Sequence, residues 1–278
     1  MRKLGVAVAA GAGLTASVAL VTRWDEWLNE SHEHDEEHEC NDGTKVRLGS
    51  CRPTGLGPLA RGFASCIAYL SIIDIFLARR MRDDTSRYFL LHTLANLAIS
   101  ISSAKDMMSV LRDPLHNSLG KCNVLPTYMI PSLFAYHLSV FNNVPREEWE
   151  HHLIFGLGLS GPQLRYCIGP VQNALGFFMC GLPGGLDYAM LTAVKEGLMR
   201  SATEKVWNSR IQVWMRSPGI LLASYAIYLA AKYADKNTKG PSKVLPLLCW
   251  LLASFNGQYY MQKVVANTAY KIDGQGAC

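Results

Sequence analysis

Trp149-Glu150-His151-His152-Leu153-Ile154-Phe155 sets two adjacent histidines at the head of an apolar run, with a glutamate and a tryptophan just before them. An imidazole in or near a bilayer is costly, so it faces protein or a water-filled space rather than lipid. Neighbouring residues on a helix point about 100° apart. The two rings therefore cannot share one narrow stripe, but both can reach a wide interior. Two readings stand side by side. In the first, at least one histidine serves as a general base, a nucleophile or a polar anchor. In the second, the pair ends a helix among lipid head groups and Trp149 belongs to an aromatic belt.

On both sides of this stretch the chain is built of long apolar blocks. The 278 residues are 49% hydrophobic and 18% charged, well under the rough quarter that soluble domains carry. The blocks fall at 63–78, 88–104, 124–141, 148–159, 164–182, 218–231 and 245–261. A further run, 4–22, follows Arg2 and Lys3 and reads as an apolar helix or a targeting segment. Blocks of this length predict an all-α fold, a multi-pass transmembrane bundle of about seven or eight helices. The net charge of +5 sits in short loops. That is a topology signal rather than a nucleic-acid footprint, and no nucleic-acid partner is expected. It places the Arg79–Arg87 loop and the stretch from Lys195 to Arg216 on one side, with the N-terminus.

Polar residues recur inside the blocks. His92 and Asn96 are one helical turn apart and share a face. His137 follows Tyr136 in a block kinked by Pro126 and Pro131. Asp74 sits near Arg79 at a block end and reads as interfacial, as do Tyr259 and Tyr260. Gly181, Pro183, Gly184 and Gly185 predict a tight break that aims Asp187 back at the interior. The segment 187–216 reads as an interfacial helix, or as a helix end plus loop.

Four regions result: 1–23, the N-terminal apolar segment; 24–54, an acidic His-rich polar loop; 55–265, the membrane domain; and 266–278, a C-terminal tail. The loop holds Ser31-His32-Glu33-His34-Asp35-Glu36-Glu37-His38-Glu39-Cys40. Its donors suit zinc or copper, but nothing fixes their geometry in a coil, so it is expected to be metal-free. Cys40 and Cys51 share that loop and can pair if it faces an oxidising compartment. Most of the other cysteines lie in apolar blocks and read as small buried residues.

Glu148-Trp149-Glu150-His151-His152-Leu153 resembles the His-His helix start of the TLC (TRAM/LAG/CLN) domain family. Gly185-Leu186-Asp187-Tyr188-Ala189-Met190-Leu191-Thr192-Ala193-Val194-Lys195 resembles that family's ceramide-synthase stretch, where an Asp pair precedes a helix ending in Lys. Arg87-Tyr88-Phe89-Leu90-Leu91-His92 and Tyr136-His137 suit its earlier spans. The resemblance covers roughly 60–265 and implies a TLC-like bundle that handles lipids. One departure is specific: Cys180-Gly181-Leu182-Pro183-Gly184 stands where the first Asp of the pair is expected, leaving Asp187 alone.

The expectation is therefore a TLC-like membrane protein that binds or senses a lipid, or regulates membrane lipid composition, without catalysis. Its lipid-binding residues are His92, Asn96, His137, His151, His152 and Asp187. The alternative is a lipid acyltransferase of ceramide-synthase type, with acyl-CoA as partner and His151, His152 and Asp187 as catalytic residues. A third reading is an accessory subunit with a membrane-protein partner. No cofactor and no metal are expected. The endoplasmic reticulum or another endomembrane is preferred to a mitochondrial or plastid membrane.

Overall fold

The computed structural model describes residues 23, 56–141, 146–166, 169–233 and 244–275. The N-terminal apolar run, the His-rich loop and the Cys40–Cys51 pair lie outside the described residues. The described chain is all helical. Its seven helices are α1 (Leu56–Phe76), α2 (Asp84–Arg112), α3 (Leu125–Val140), α4 (146–166), α5 (170–195), α6 (201–233) and α7 (Val244–Gln275). Each expected block from 63 onward maps to one of them. The stretch 187–216 resolves into the end of α5, a short turn and the start of α6. The last helix runs on past residue 265 to Gln275.

The expected break at Gly181–Gly185 does not occur. Helix α5 passes straight through it, and α4 likewise continues through Gly161-Pro162. Both accommodate proline by widening. A π-helical segment spans His152–Ser160 in α4, Phe177–Gly181 in α5 and Gln212–Arg216 in α6. Each segment ends two residues before a proline: Pro162, Pro183 and Pro218. Proline has no N–H to give and its ring crowds the preceding turn. Widening the turn just ahead relieves that crowding without ending the helix.

Six helices close a ring. Helix α2 packs on α3, α3 on α4, α4 on α7, α7 on α6, α6 on α5, and α5 back on α2. Helix α1 docks outside the ring against α2 and α3. Small residues allow the closest approaches. A Cβ on Gly184 would sit 3.0 Å from Asn96 Nδ2 of α2, and one on Gly219 of α6 would sit 2.1 Å from the Phe178 ring of α5. At the α5 entry, Gly169 has φ +123° and lies against the backbone of Leu119 and Gly120, a conformation and a gap that no side chain fits.

Two polar clasps tie the ends. At one end Asn173 Nδ2 donates to Asp106 Oδ2 (2.6 Å) and to the Asn123 carbonyl (2.7 Å), joining α5, α2 and the approach to α3. At the other, the Arg82 backbone N–H donates to Glu196 Oε1 (2.9 Å). The α1–α2 connection, with Arg79, Arg80 and Arg82, and the α5–α6 connection, between Lys195 and Arg200, therefore share one end. There Thr268 Oγ1 donates to the Lys205 carbonyl (3.2 Å), so the late part of α7 runs beside the start of α6.

The outer surface is apolar. Ile72, Phe76, Leu153, Leu186, Leu222 and Phe255 are exposed on five different helices. Two segments, Gly57–Arg80 and Pro170–Lys195, are long and apolar enough to cross a membrane.

Candidate functional site

Every ring helix turns polar side chains toward the others. Helix α2 supplies Tyr88, His92 and Asn96, α3 supplies His137, and α4 supplies His151 and His152. Helix α5 supplies Asp187 and Tyr188. Helix α6 carries Glu204, Asn208, Gln212 and Arg216, spaced one turn apart so that they form a single stripe. Helix α7 adds Asn256 and Tyr260.

An aromatic stack forms one half. His92 stacks between His137 (centroids 4.1 Å apart) and Tyr188 (4.2 Å). Tyr88 leans on both histidines, at 4.2 and 4.7 Å. His152 lies 5.8 Å from His137, and His151 5.7 Å from His152. His92 Nδ1 lies 2.9 Å from the Tyr88 carbonyl. A carbonyl can only accept, so the proton is on Nδ1 and Nε2 holds a lone pair. His137 is 0% exposed, and neither of its ring nitrogens has a hydrogen-bond partner among the described residues. Stacked rings present faces rather than converging lone pairs. Among the described residues no group of three or more His, Cys, Asp or Glu is placed to hold a metal ion.

The other half is built on α6. Gln212 Nε2 donates to Asn208 Oδ1 (3.3 Å) and Asn208 Nδ2 to Glu204 Oε1 (3.4 Å). Arg216 crowns the stripe. Its Nη1 donates to Gln212 Oε1 (3.2 Å), its Nη2 to Asn256 Oδ1 (3.1 Å), and its Nε to the Met179 carbonyl (2.8 Å). The last contact ties α6 to the π-helical segment of α5.

Tyr260 joins the halves. His151 Nδ1 lies 2.9 Å from its hydroxyl, and the Arg216 guanidinium sits 5.7 Å from its ring centroid. The sequence reading put Tyr260 in an interfacial belt with Tyr259. Tyr259 does face outward, but Tyr260 turns in. Adjacent residues diverge in the same way at 136 and 137. His137 enters the stack while the Tyr136 hydroxyl donates to Asp74 Oδ2 (2.9 Å).

Asp74 is not interfacial. Its side chain is fully buried and accepts from Arg87 Nε (2.6 Å) and Nη2 (2.5 Å), a clasp of α1 onto α2 and α3.

Five of the six expected lipid-binding residues thus gather as follows. His92, His137, His151 and His152 form one chain of rings, with Asn96 one turn below His92 against Gly184 and Gly185. Asp187, the sixth, faces the same interior but bonds to neither histidine. Its Oδ1 is buried with no hydrogen-bond partner among the described residues. The group that orients His151 is Tyr260, not Asp187. The sequence reading missed Arg216, Gln212, Asn208 and Asn256. The signal was the four-residue spacing 204, 208, 212, 216, which falls wholly within the stretch 187–216 read as an interfacial helix or a helix end plus loop. Arg216, Asp187 and His151 are deeply enclosed by protein yet keep some accessible surface.

No family model, no curated protein and no solved structure matches this chain.

Proposed function

We propose that this protein is a multi-pass membrane protein whose helix ring binds a lipid, with the lipid's polar part among His92, His137, His151, His152 and Asp187. The observation that carries this reading is the inverted polarity of the ring. Large apolar side chains cover the outside, and each of six helices turns ionisable or amide groups inward. In water that arrangement is unfavourable on both faces; in a bilayer it is what a helical bundle with a polar interior requires. Buried polar groups need partners. Here His137, Asp187 and Asn256 keep polar atoms without protein partners among the described residues, and a ligand head group supplies them. The basic end of the ring then faces the cytoplasm or its topological equivalent.

Purified in a mild detergent, the protein should carry a bound lipid detectable by native mass spectrometry. It should also take up lipid from vesicles once stripped. Protein that is lipid-free as isolated and takes up none would overturn the reading.

One observation favours catalysis as a second reading. The Tyr260 hydroxyl orients the His151 ring through Nδ1, and an oriented imidazole is what base or nucleophilic chemistry uses. If the protein is an acyltransferase, it should turn over acyl-CoA with long-chain bases, and His151→Ala and His152→Ala should abolish turnover.

A further inference from the structure

Arg216 is a cation inside the ring with no carboxylate in contact. Its three protein partners are a carbonyl and two amide oxygens, all neutral. The acids nearest along the stripe are otherwise engaged. Glu204 pairs with Lys205 at 3.1 Å. Asp187 on α5 makes no ion pair with Arg216 and acts on it only through space. A guanidinium has five N–H donors, and three are used here. Asn256 adds another. Its Oδ1 must face Arg216, since arginine only donates, so its Nδ2 points away; that nitrogen is fully buried with no partner among the described residues. Arg216 thus has spare N–H donors, and Asn256, which it bonds, keeps a buried Nδ2 with no partner among the described residues.

We propose that Arg216 and Asn256 form an anion site inside the ring that receives the carboxylate or phosphate of an acyl-chain lipid. This rests on the lipid-binding reading and names the class of lipid. A carboxylate or phosphate accepts two parallel bonds from a guanidinium, which fixes its orientation as well as its charge. A buried guanidinium with no carboxylate in contact is unfavourable, and a ligand anion offsets that. The Arg216 contacts to the Met179 carbonyl and Gln212 Oε1 pre-orient the fork before any ligand arrives.

The test uses the full-length protein, stripped of lipid in detergent, with two pairs of probes: oleate against the neutral oleyl alcohol, and phosphatidate against phosphatidylcholine in nanodiscs. Wild type should bind oleate or phosphatidate at least ten-fold more tightly than the matched neutral or zwitterionic probe. A preference for oleate marks a fatty carboxylate site, and one for phosphatidate a phospholipid site. Arg216→Gln should erase that preference while leaving oleyl alcohol binding unchanged. Arg216→Lys should restore part of it, keeping the charge but not the fork. Asn256→Asp serves as the second variant should Arg216→Gln fail to fold. It leaves Arg216 in place but puts a carboxylate beside it, and should lower oleate affinity at least ten-fold. Equal binding within both pairs of probes, or binding of the preferred anion untouched by Asn256→Asp, would overturn the anion site and leave lipid binding standing. Binding of none of the probes would overturn lipid binding itself.

Discussion

The molecule holds two buried arginines in opposite ways. Arg87 lies between α1 and the ring and grips Asp74 with two parallel bonds, while Tyr136 donates to the same carboxylate. Arg216 lies inside the ring and has three neutral acceptors. Around Arg87 charge is balanced within the chain, and the group's work is to hold α1 in place. Inside the ring, Asn256 beside Arg216 and His137 in the aromatic stack keep polar atoms with no partner among the described residues. A fold can satisfy its buried charges when it needs to, as the first site shows. The surplus at the second is then best read as capacity for something that is not part of the chain.

The largest effect should come from breaking the balanced site. Asp74→Asn removes the buried carboxylate that Arg87 and Tyr136 bind and leaves Arg87 only the exposed Asp84 at 3.5 Å; its cost should approach the ~3–5 kcal/mol of a broken buried pair, read as chemical or thermal unfolding in detergent. The double variant Asp74→Leu with Arg87→Leu removes both charges and should recover most of that loss. If the single variant is as stable as wild type, the clasp is not what holds α1.

Next is the approach of α5 to α6, on which the Arg216–Met179 contact depends. Gly219→Ala places a methyl group where the Phe178 ring now lies, and overpacking of that kind costs about 1–3 kcal/mol. Phe178→Ala should rescue part of it in the double variant. Absence of rescue would mean the two helices can slide apart without cost.

Inside the ring the sign should differ. His137 is fully buried with both nitrogens unpartnered among the described residues, so the protein already bears their desolvation. Replacing such a group with an apolar one of similar size is close to neutral or stabilising. His137→Leu, measured on lipid-stripped protein, should stay within about 1 kcal/mol of wild type or exceed it. Its lipid retention should fall. A loss like that of Asp74→Asn would erase the contrast between the sites.

Much of this was legible from residue spacing. Seven apolar blocks became seven helices, and the shared face of His92 and Asn96 and the common end of the basic loops followed from period and charge. What was not legible was how the chain absorbs proline. Pro162 and Pro183 look like helix ends in sequence because an α-helix cannot carry the missing N–H. The widened turns before them appear only when neighbouring helices hold both halves in line. The same step hid Arg216. A stripe at 204, 208, 212 and 216 reads as solvated surface until the ring closes around it. Direction within neighbouring pairs was equally hidden, since Tyr136 and His137, or Tyr259 and Tyr260, are assigned to opposite faces by packing alone.

The smallest effect belongs to a charged pair that neither balances a buried cation nor lines the ring. Asp113 follows α2 in an exposed turn. Its carboxylate accepts from the His116 backbone N–H (3.1 Å) and meets the His116 ring at 2.8 Å, with the Leu115 N–H at 3.2 Å. The His116 backbone bond and then its ring hold the Asp113 carboxyl below the usual carboxylate range. A group depressed by folding adds stability above its unfolded value, about pH 3.9 for Asp. That stability drains away as the pH falls through the lower folded value. Solvent screens an exposed pair strongly, so the Tm difference between wild type and Asp113→Asn should be slight at pH 7. It should shrink toward zero as the medium is acidified below pH 4, and it should be smaller in high salt. A difference that grows on acidification would reverse the sign argued here. A difference as large as that of Asp74→Asn would mean that exposure does not separate the turn from the buried clasp.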